Sequence, residues 1–244
     1  MKFAARTDKG RHRELNEDSF DIIAGADGMP SFFIIADGMG GHNSGELASK
    51  TAVDYVSGIV SGLGKSFGAE GGTEEELKKL IADANRSVYE KSLELPENNG
   101  MGTTMTIAAA AGGRMYIGHV GDSRLYLVRN GSIRQLTTDH SYIEEMVRNG
   151  SLTREEAQKH PRKHVITRAL GCMPEVEPDA YSCDMEAGDT YILCTDGLTN
   201  MLGEEDIARV AAENAPEPAC EELVRQANDS GGEDNITVIV IKNE

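Results

Sequence analysis

Between Gly102 and Leu136 three apolar segments, "TTMTIAAAAG", "RMYIGHVG" and "SRLYLVRNGSIRQL", follow one another with little more than turn residues between them. Parallel neighbours need a crossover of about a dozen residues or more. These segments leave no room for one, so they predict antiparallel strands. The pair Asn130-Gly131 inside the third segment suits a type I′ hairpin, whose two central residues take positive φ. The N-terminal region repeats the pattern with "KFAART", "SFDIIAG" and "PSFFIIA", the last two joined through "ADGM", where Asp27-Gly28 predicts another tight turn.

Helical sequence comes in pairs between these runs. From Ser44 to Val60, residues Leu47, Ala48, Ala52, Tyr55, Val56 and Ile59 recur at three- and four-residue spacings. After the Gly-rich loop "SGLGKSFGAEGG", Thr73 and Glu76 predict a capping box that opens a second helix through about Leu93. Ser141 to Gln158 is helical with a break at "NGSLT". Strands resume at "YSCDM" and "TYILCT", two short helices occupy about Glu204 to Asn228, and "NITVIVI" is a last strand. This is not β-α-β alternation. It predicts an α+β fold of antiparallel sheets covered by helix pairs. No repeat and no Pro-rich linker divides residues 1–244, which read as one domain.

The charge balance is strongly acidic, 24 basic against 41 acidic residues for a net charge of −17. A nucleic-acid binder needs a basic face, so that class is disfavoured. No apolar run approaches 18 residues, which argues against membrane insertion. Cys172, Cys183, Cys194 and Cys220 form no C-x-x-C pair and no zinc spacing. With no signal-peptide pattern, the expectation is a reducing, cytoplasmic setting.

The acids are placed unevenly. Asp37-Gly38 and Asp196-Gly197 end the apolar runs "FFIIADG" and "YILCTDG" and lead toward helices, whereas an ordinary Asp-Gly turn joins strand to strand. Glu17 and Asp18 stand ahead of a strand, with Arg13 four and five residues before them. Asp122 ends the strand "YIGHV", and Asp234 precedes the last strand. Five segments therefore each bring acid to a strand edge. Clustered carboxylates raise one another's pKa unless they share a cation. Oxygen-only ligation points to Mg²⁺ or Mn²⁺ rather than zinc or copper. Spacing alone does not say whether the five segments converge.

Eight stretches in order resemble the metal-dependent protein phosphatases of the PPM (PP2C) family in its bacterial form. They are "TDKGRHRELNEDS", "IIADGMGGHNSGELAS", "GMGTTMTIA", "GHVGDSRLYL", "LTTDHS", "HPRKHVITRALG", "LCTDGLTNML" and "GGEDNITVIVI". The resemblance implies a four-layered α-β-β-α sandwich with a two-metal site at one edge. Asp37 matches the aspartate bridging both ions, and Gly38 the residue that lends its carbonyl to one. Asp196 and Asp234 match ligands of the other ion, and Glu17 and Asp18 match carboxylates that hold metal-bound waters. Asp122, with Asp196, matches a third metal site, and Arg13 matches the phosphate-binding arginine.

The implied reaction is hydrolysis of phosphoserine and phosphothreonine by direct attack of a hydroxide bridging two Mn²⁺ or Mg²⁺ ions. His42, in the "DGMGGH" turn, is the candidate general acid. His119 lies within a strand and reads as a packed core residue; His12, His140, His160 and His164 carry no argument beyond proximity to motifs. Tyr142 to Lys163 resembles the family's variable flap, and Glu233 adds a carboxylate beside Asp234. The implied partners are phosphorylated proteins and an opposing bacterial Ser/Thr kinase, and the family default is a monomer. Two other classes, a non-catalytic binding module and a nucleic-acid hydrolase, fit less well. The first has no need of Arg13, Asp37, Asp196 and Asp234 together, and the second lacks a basic patch and stacking aromatics.

Overall fold

In strand β3 (Ser31–Met39), Phe32, Ile34 and Ala36 belong to one buried cluster, while Phe33 and Ile35 belong to another. Successive side chains of a strand leave on opposite faces, so a strand buried on both faces shows a continuous apolar run. The computed structural model describes residues 1–26, 29–40, 44–62, 67, 73–158 and 160–244.

One sheet is ordered β2 (Asp18–Ile23), β3, β5 (Met105–Ala111), β6 (Arg114–Val120) and β9 (Asp179–Asp184), with the short β4 (Gly102–Thr103) paired to β3. The other is ordered β1 (Lys2–Asp8), β11 (Ile236–Lys242), β10 (Thr190–Cys194), β7 (Arg124–Arg129) and β8 (Ser132–Gln135). Every pairing along both orders is antiparallel. Asn130 and Gly131 take φ of 52° and 77°, as the hairpin between β7 and β8 requires. Asp27-Gly28, the other expected hairpin turn, lies outside the described residues.

Three apolar layers follow. Helices α1 (Ser44–Val60) and α2 (Thr73–Ser92) bury Ala52, Val56, Leu77, Ile81 and Ala84 against Phe32, Ile34 and Ile107. Between the sheets, Phe33, Ile35 and Ile117 meet Leu125, Leu193 and Ile239. On the far side, Tyr126, Ile192 and Val238 meet the short α5 (Asp196–Thr199), α6 (Glu204–Glu213) and α7 (Pro216–Asp229) through Leu198, Ile207, Val210 and Leu223. The result is the expected four-layered α-β-β-α sandwich. The segment expected to be a broken helix forms α3 (Tyr142–Arg148) and α4 (Arg154–Gln158). Ser141 caps the first, accepting a hydrogen bond from the Glu144 amide at 3.2 Å.

One local expectation fails. Thr73 lies inside α2, and its buried hydroxyl has no hydrogen-bond partner among the described residues, so it caps nothing there. The tie made from α2 is instead Asn85, which is fully buried. Its Nδ2 donates to the carbonyls of Met173 and Pro174 at 3.1 and 3.2 Å, and its Oδ1 accepts from the Gly171 amide at 2.8 Å. That loop returns the chain from the flap to β9. Asn85→Ala removes three hydrogen bonds and strands the buried Gly171 amide, a loss that by itself costs about 1–3 kcal/mol. The expected outcome is a destabilisation of about 2–4 kcal/mol, read as a lower urea midpoint with unchanged slope.

Candidate metal centre

Each acidic residue singled out in the sequence reaches the same edge of the sandwich from a strand end. Asp18 opens β2 and faces Asp37 of β3 in antiparallel register. Asp122 lies in the link from β6 to β7, where the chain passes from one sheet to the other. Asp196 follows β10 and starts α5, and Asp234 stands just before β11. Arg13, Glu17, Asp37, Asp122, Asp196 and Asp234 line one cleft of about 490 Å³, together with Gly38 and Glu233. His42 lies outside the described residues.

Asp18 is buried beside the cleft, where it joins the two sheets. Thr237 of β11 and Thr195, which follows β10, donate their hydroxyls to Asp18 Oδ2 at 2.6 and 2.9 Å. Asp18 Oδ1 is equally buried and has no hydrogen-bond partner among the described residues. Asp37 is held by its backbone. Its amide donates to Thr104 Oγ1 at 2.8 Å, and its carbonyl accepts from the Thr104 amide and the Thr103 hydroxyl, both at 2.9 Å. Those bonds hold the backbone and involve neither carboxyl oxygen.

Two glycines have a reason the sequence did not show. A Cβ on Gly38 would collide with the Gly45 and Glu17 carbonyl oxygens, and one on Gly197 with the Asn235 carbonyl oxygen. Each glycine therefore lets protein segments approach one another, which brings the neighbouring aspartate into the cleft. Asn235 is the other organiser. Its Nδ2 donates to the carbonyls of Lys9 and Leu15 at 2.9 and 2.8 Å, and its Oδ1 accepts from the Glu17 amide at 2.8 Å.

Burial and mutual repulsion distort the acids. Asp37 is pushed well above the ordinary carboxylate range, first by burial and then by Asp18, Asp196, Asp122 and Asp234. Burial, reinforced by Asp196 and Asp139, raises Asp122 to about 8, with Arg124 opposing. Burial raises Asp18 to about 7 against the pull of its two threonine hydrogen bonds, with Asp196 and Asp234 adding to the rise. Asp196 is raised by burial and by Asp234, while a 3.0 Å hydrogen bond from Asn200 lowers it. Glu17 is raised by burial, and Arg13 and the Gly45 amide at the start of α1 work against that. Arg13 itself is half-exposed and paired with Asp234 at 2.7 Å.

The donor chemistry fits divalent cations. Six carboxyl-bearing residues (Glu17, Asp37, Asp122, Asp196, Glu233 and Asp234) line the cleft against one guanidinium. A buried carboxylate oxygen lies unpartnered next to them. Oxygen-only sites of this kind suit Mg²⁺ or Mn²⁺. Among the described residues no three acidic, His or Cys groups are drawn into a closed cage. The fit rests on charge and donor type, since like charges without a shared cation hold apart.

Comparison with known proteins places this architecture. Residues 8–236 match the family model described as protein phosphatase 2C, and the chain belongs to that family. Its curated relatives include the Serine/threonine phosphatase stp of Listeria monocytogenes, 39% identical over 240 residues, covering 98% of this chain and 94% of that protein. The serine/threonine phosphatase of S. agalactiae superposes with a TM-score of 0.92 at 36% identity, covering 100% of this chain and 99% of that one. The catalytic domain of serine threonine protein phosphatase PstP, solved in complex with 2 manganese ions, superposes with a TM-score of 0.85 at 35% identity, covering 98% and 96%. The chain is thus an enzyme of the phosphatase class.

Because the folded chain keeps Asp18 and Asp122 protonated well above their ordinary value of 3.8, it holds protons that the unfolded chain has already lost. The repelling acids therefore cost least at low pH, and stability falls as pH rises from about 4 toward about 8. In EDTA, the melting temperature is expected to drop between about pH 5 and about pH 8. Asp122→Asn should make the drop shallower, and Mn²⁺ should restore most of it at the upper end. A flat or rising EDTA profile in thermal melts would contradict this electrostatic account.

Proposed function

We propose that the cleft hydrolyses phosphoserine and phosphothreonine on proteins with the help of two Mg²⁺ or Mn²⁺ ions. The observation that carries the proposal is the confinement of Asp18, Asp37, Asp122 and Asp196, all with raised pKa values, at one edge, with Asp234 and one guanidinium beside them. Residues 1–244 act in this reading as one catalytic domain. Asp37 and the Gly38 carbonyl hold the ions together with Asp196 and Asp234. Glu17 and Asp18 steady the surrounding water, and Asp122 with Asp196 offers a third, weaker position. When bound, the ions supply Lewis acidity toward water and toward the phosphoryl oxygens.

The chain's own residues do the rest. Arg13 would bind phosphate oxygens through its planar fork; in this structure its partner is Asp234 at 2.7 Å. Thr195 and Thr237 clamp Asp18, and Thr104 clamps the Asp37 backbone, so the acids stay in place while charge moves. Phosphoryl transfer depends mainly on positioning and charge stabilisation, and these contacts provide it.

A phosphoprotein substrate has to be made by a protein kinase, so the enzyme opposes a Ser/Thr kinase. We place it in the cytoplasm as a monomer; among the described residues no helix is long and apolar enough to cross a membrane.

The test is phosphate release from a phosphothreonine peptide with Mn²⁺ and with EDTA. Turnover should require metal, and Asp196→Asn should lose at least about 100-fold in kcat. Arg13→Ala should lower kcat/KM by about 10–100-fold while leaving metal affinity, followed by calorimetry, nearly intact. Wild-type protein that binds Mn²⁺ yet releases no phosphate from the peptide or from p-nitrophenyl phosphate would sink the catalytic reading.

A further inference from the structure

We propose that His140 is a positioning residue for Asp122, holding the link between β6 and β7 in the shape that keeps the Asp122 carboxyl in the cleft. The inference rests on the reading of Asp122 as a cation ligand and adds the residue that sets its place. His140 is buried and lies outside the cleft lining, so it acts through the backbone.

Asp122 has to be held. Burial, with repulsion from Asp196 and Asp139, raises its pKa to about 8, and the same forces favour any movement that takes a charged carboxyl toward water. Its neighbours in sequence are pinned on both sides. After it, Ser123 and Thr104 share a hydroxyl–hydroxyl hydrogen bond of 2.8 Å, and Thr104 is the residue that holds the Asp37 backbone. Arg124 binds Asp139 through Nε and Nη2 at 3.0 and 2.6 Å.

Before it, Gly121 is bonded to His140 twice. The His140 amide donates to the Gly121 carbonyl at 2.7 Å, and the Gly121 amide donates to His140 Nδ1 at 3.1 Å. The first bond uses backbone alone, so any residue other than proline at 140 could make it. The second needs an acceptor on the side chain. Gly121 is buried at φ of 109°, and a Cβ there would collide with Thr104. A buried amide needs a partner inside the protein, and here it is the imidazole.

The ring is set for this contact. An amide N–H only donates, so Nδ1 must be unprotonated and the ring proton sits on Nε2. Nε2 lies 3.2 Å from Asp179 Oδ2, an acceptor that fixes that tautomer. Asp179 is held in turn by the Tyr181 hydroxyl at 2.6 Å and by Arg168 at 3.1 Å. Burial lowers the His140 pKa against the pull of Asp179, with Arg168 adding to the fall. The neutral ring is the form that the Gly121 amide requires.

Two substitutions separate the two ends of the ring. Asparagine carries an amide oxygen near the place of Nδ1, so it keeps an acceptor for Gly121 and gives up Asp179. Glutamine reaches the place of Nε2, so it keeps a donor for Asp179 and gives up Gly121. Wild type, His140→Asn, His140→Gln, Asp122→Asn and the double variant Asp122→Asn with His140→Gln are titrated with Mn²⁺ by calorimetry without substrate. The same proteins are assayed on a phosphothreonine peptide, all well below the lowest melting midpoint.

His140→Gln should follow Asp122→Asn, with the weakest Mn²⁺ phase and kcat/KM each falling by about tenfold or more. His140→Asn should rescue both to within about threefold of wild type. Added to Asp122→Asn, His140→Gln should cost less than about twofold more, because it acts through the residue already lost. A histidine that only fills space would penalise Asn and Gln alike, and its loss would multiply with that of Asp122. His140→Gln equal to wild type in the titration, equal damage from Asn and Gln, or losses that multiply overturns the positioning role. An unchanged titration for Asp122→Asn removes Asp122 as a ligand and this inference with it, while the phosphatase reading stands. Wild-type protein that binds Mn²⁺ but releases no phosphate overturns the phosphatase reading, and the calorimetric comparison still decides the role of His140.

Discussion

Like charges held together out of water are the constraint around which this protein is arranged. Asp18, Asp37, Asp122, Asp196 and Asp234 meet where the two sheets abut, and burial leads the causes of every raised carboxyl pKa there. Such a cluster persists only if the surrounding structure over-determines it. Here the structure does so through neutral donors. Threonine hydroxyls clamp Asp18, Thr104 clamps the Asp37 backbone, and Asn235 fastens the Glu17 segment to the N-terminal loop. These contacts are made by neutral groups, so they add nothing to the repulsion among the acids.

The sandwich explains why the acids share one edge. Antiparallel neighbours end at the same side as their partners begin, so Asp18 and Asp37 face each other across β2 and β3. The link from β6 to β7 changes sheet at that edge and carries Asp122 with it. Behind that loop, Arg124 grips Asp139 through Nε and Nη2 at 2.6–3.0 Å. His140, next in sequence, bonds back to Gly121 and forward to the flap return. The segment from Tyr142 onward is therefore tied directly to the loop that carries Asp122.

Much of this was legible from local pattern. Short turns between apolar runs announced antiparallel strands, and the Asn130-Gly131 hairpin formed with the positive φ values its residues favour. Acids at strand ends announced an unusual carboxylate pattern, and the fold brought them to one edge. Other features were not legible because their meaning depends on distant partners. Thr237 donates to Asp18 from 219 residues away, and Asn235 reaches Leu15 from 220. In the sequence both are polar residues beside a strand. Thr73 and Glu76 matched a capping pattern, yet Thr73 is inside the helix and its hydroxyl is buried without a partner.

By itself, the sequence determined the kinds of element and the chemistry of the side chains on offer, because periodicity and residue type are local properties: two-sided burial for "FFIIA" and "TVIVI", and oxygen donors rather than sulfur at the strand ends. Tertiary structure alone decided which of those residues meet. It brought His164 to the cleft lining, which nothing in the sequence marks. It made Gly38 and Gly197 obligatory through contacts with Gly45 and Asn235. Distance, burial and the sum of neighbouring charges exist only once the sheets have packed, and those three quantities turn a set of ordinary aspartates into a site that demands a cation.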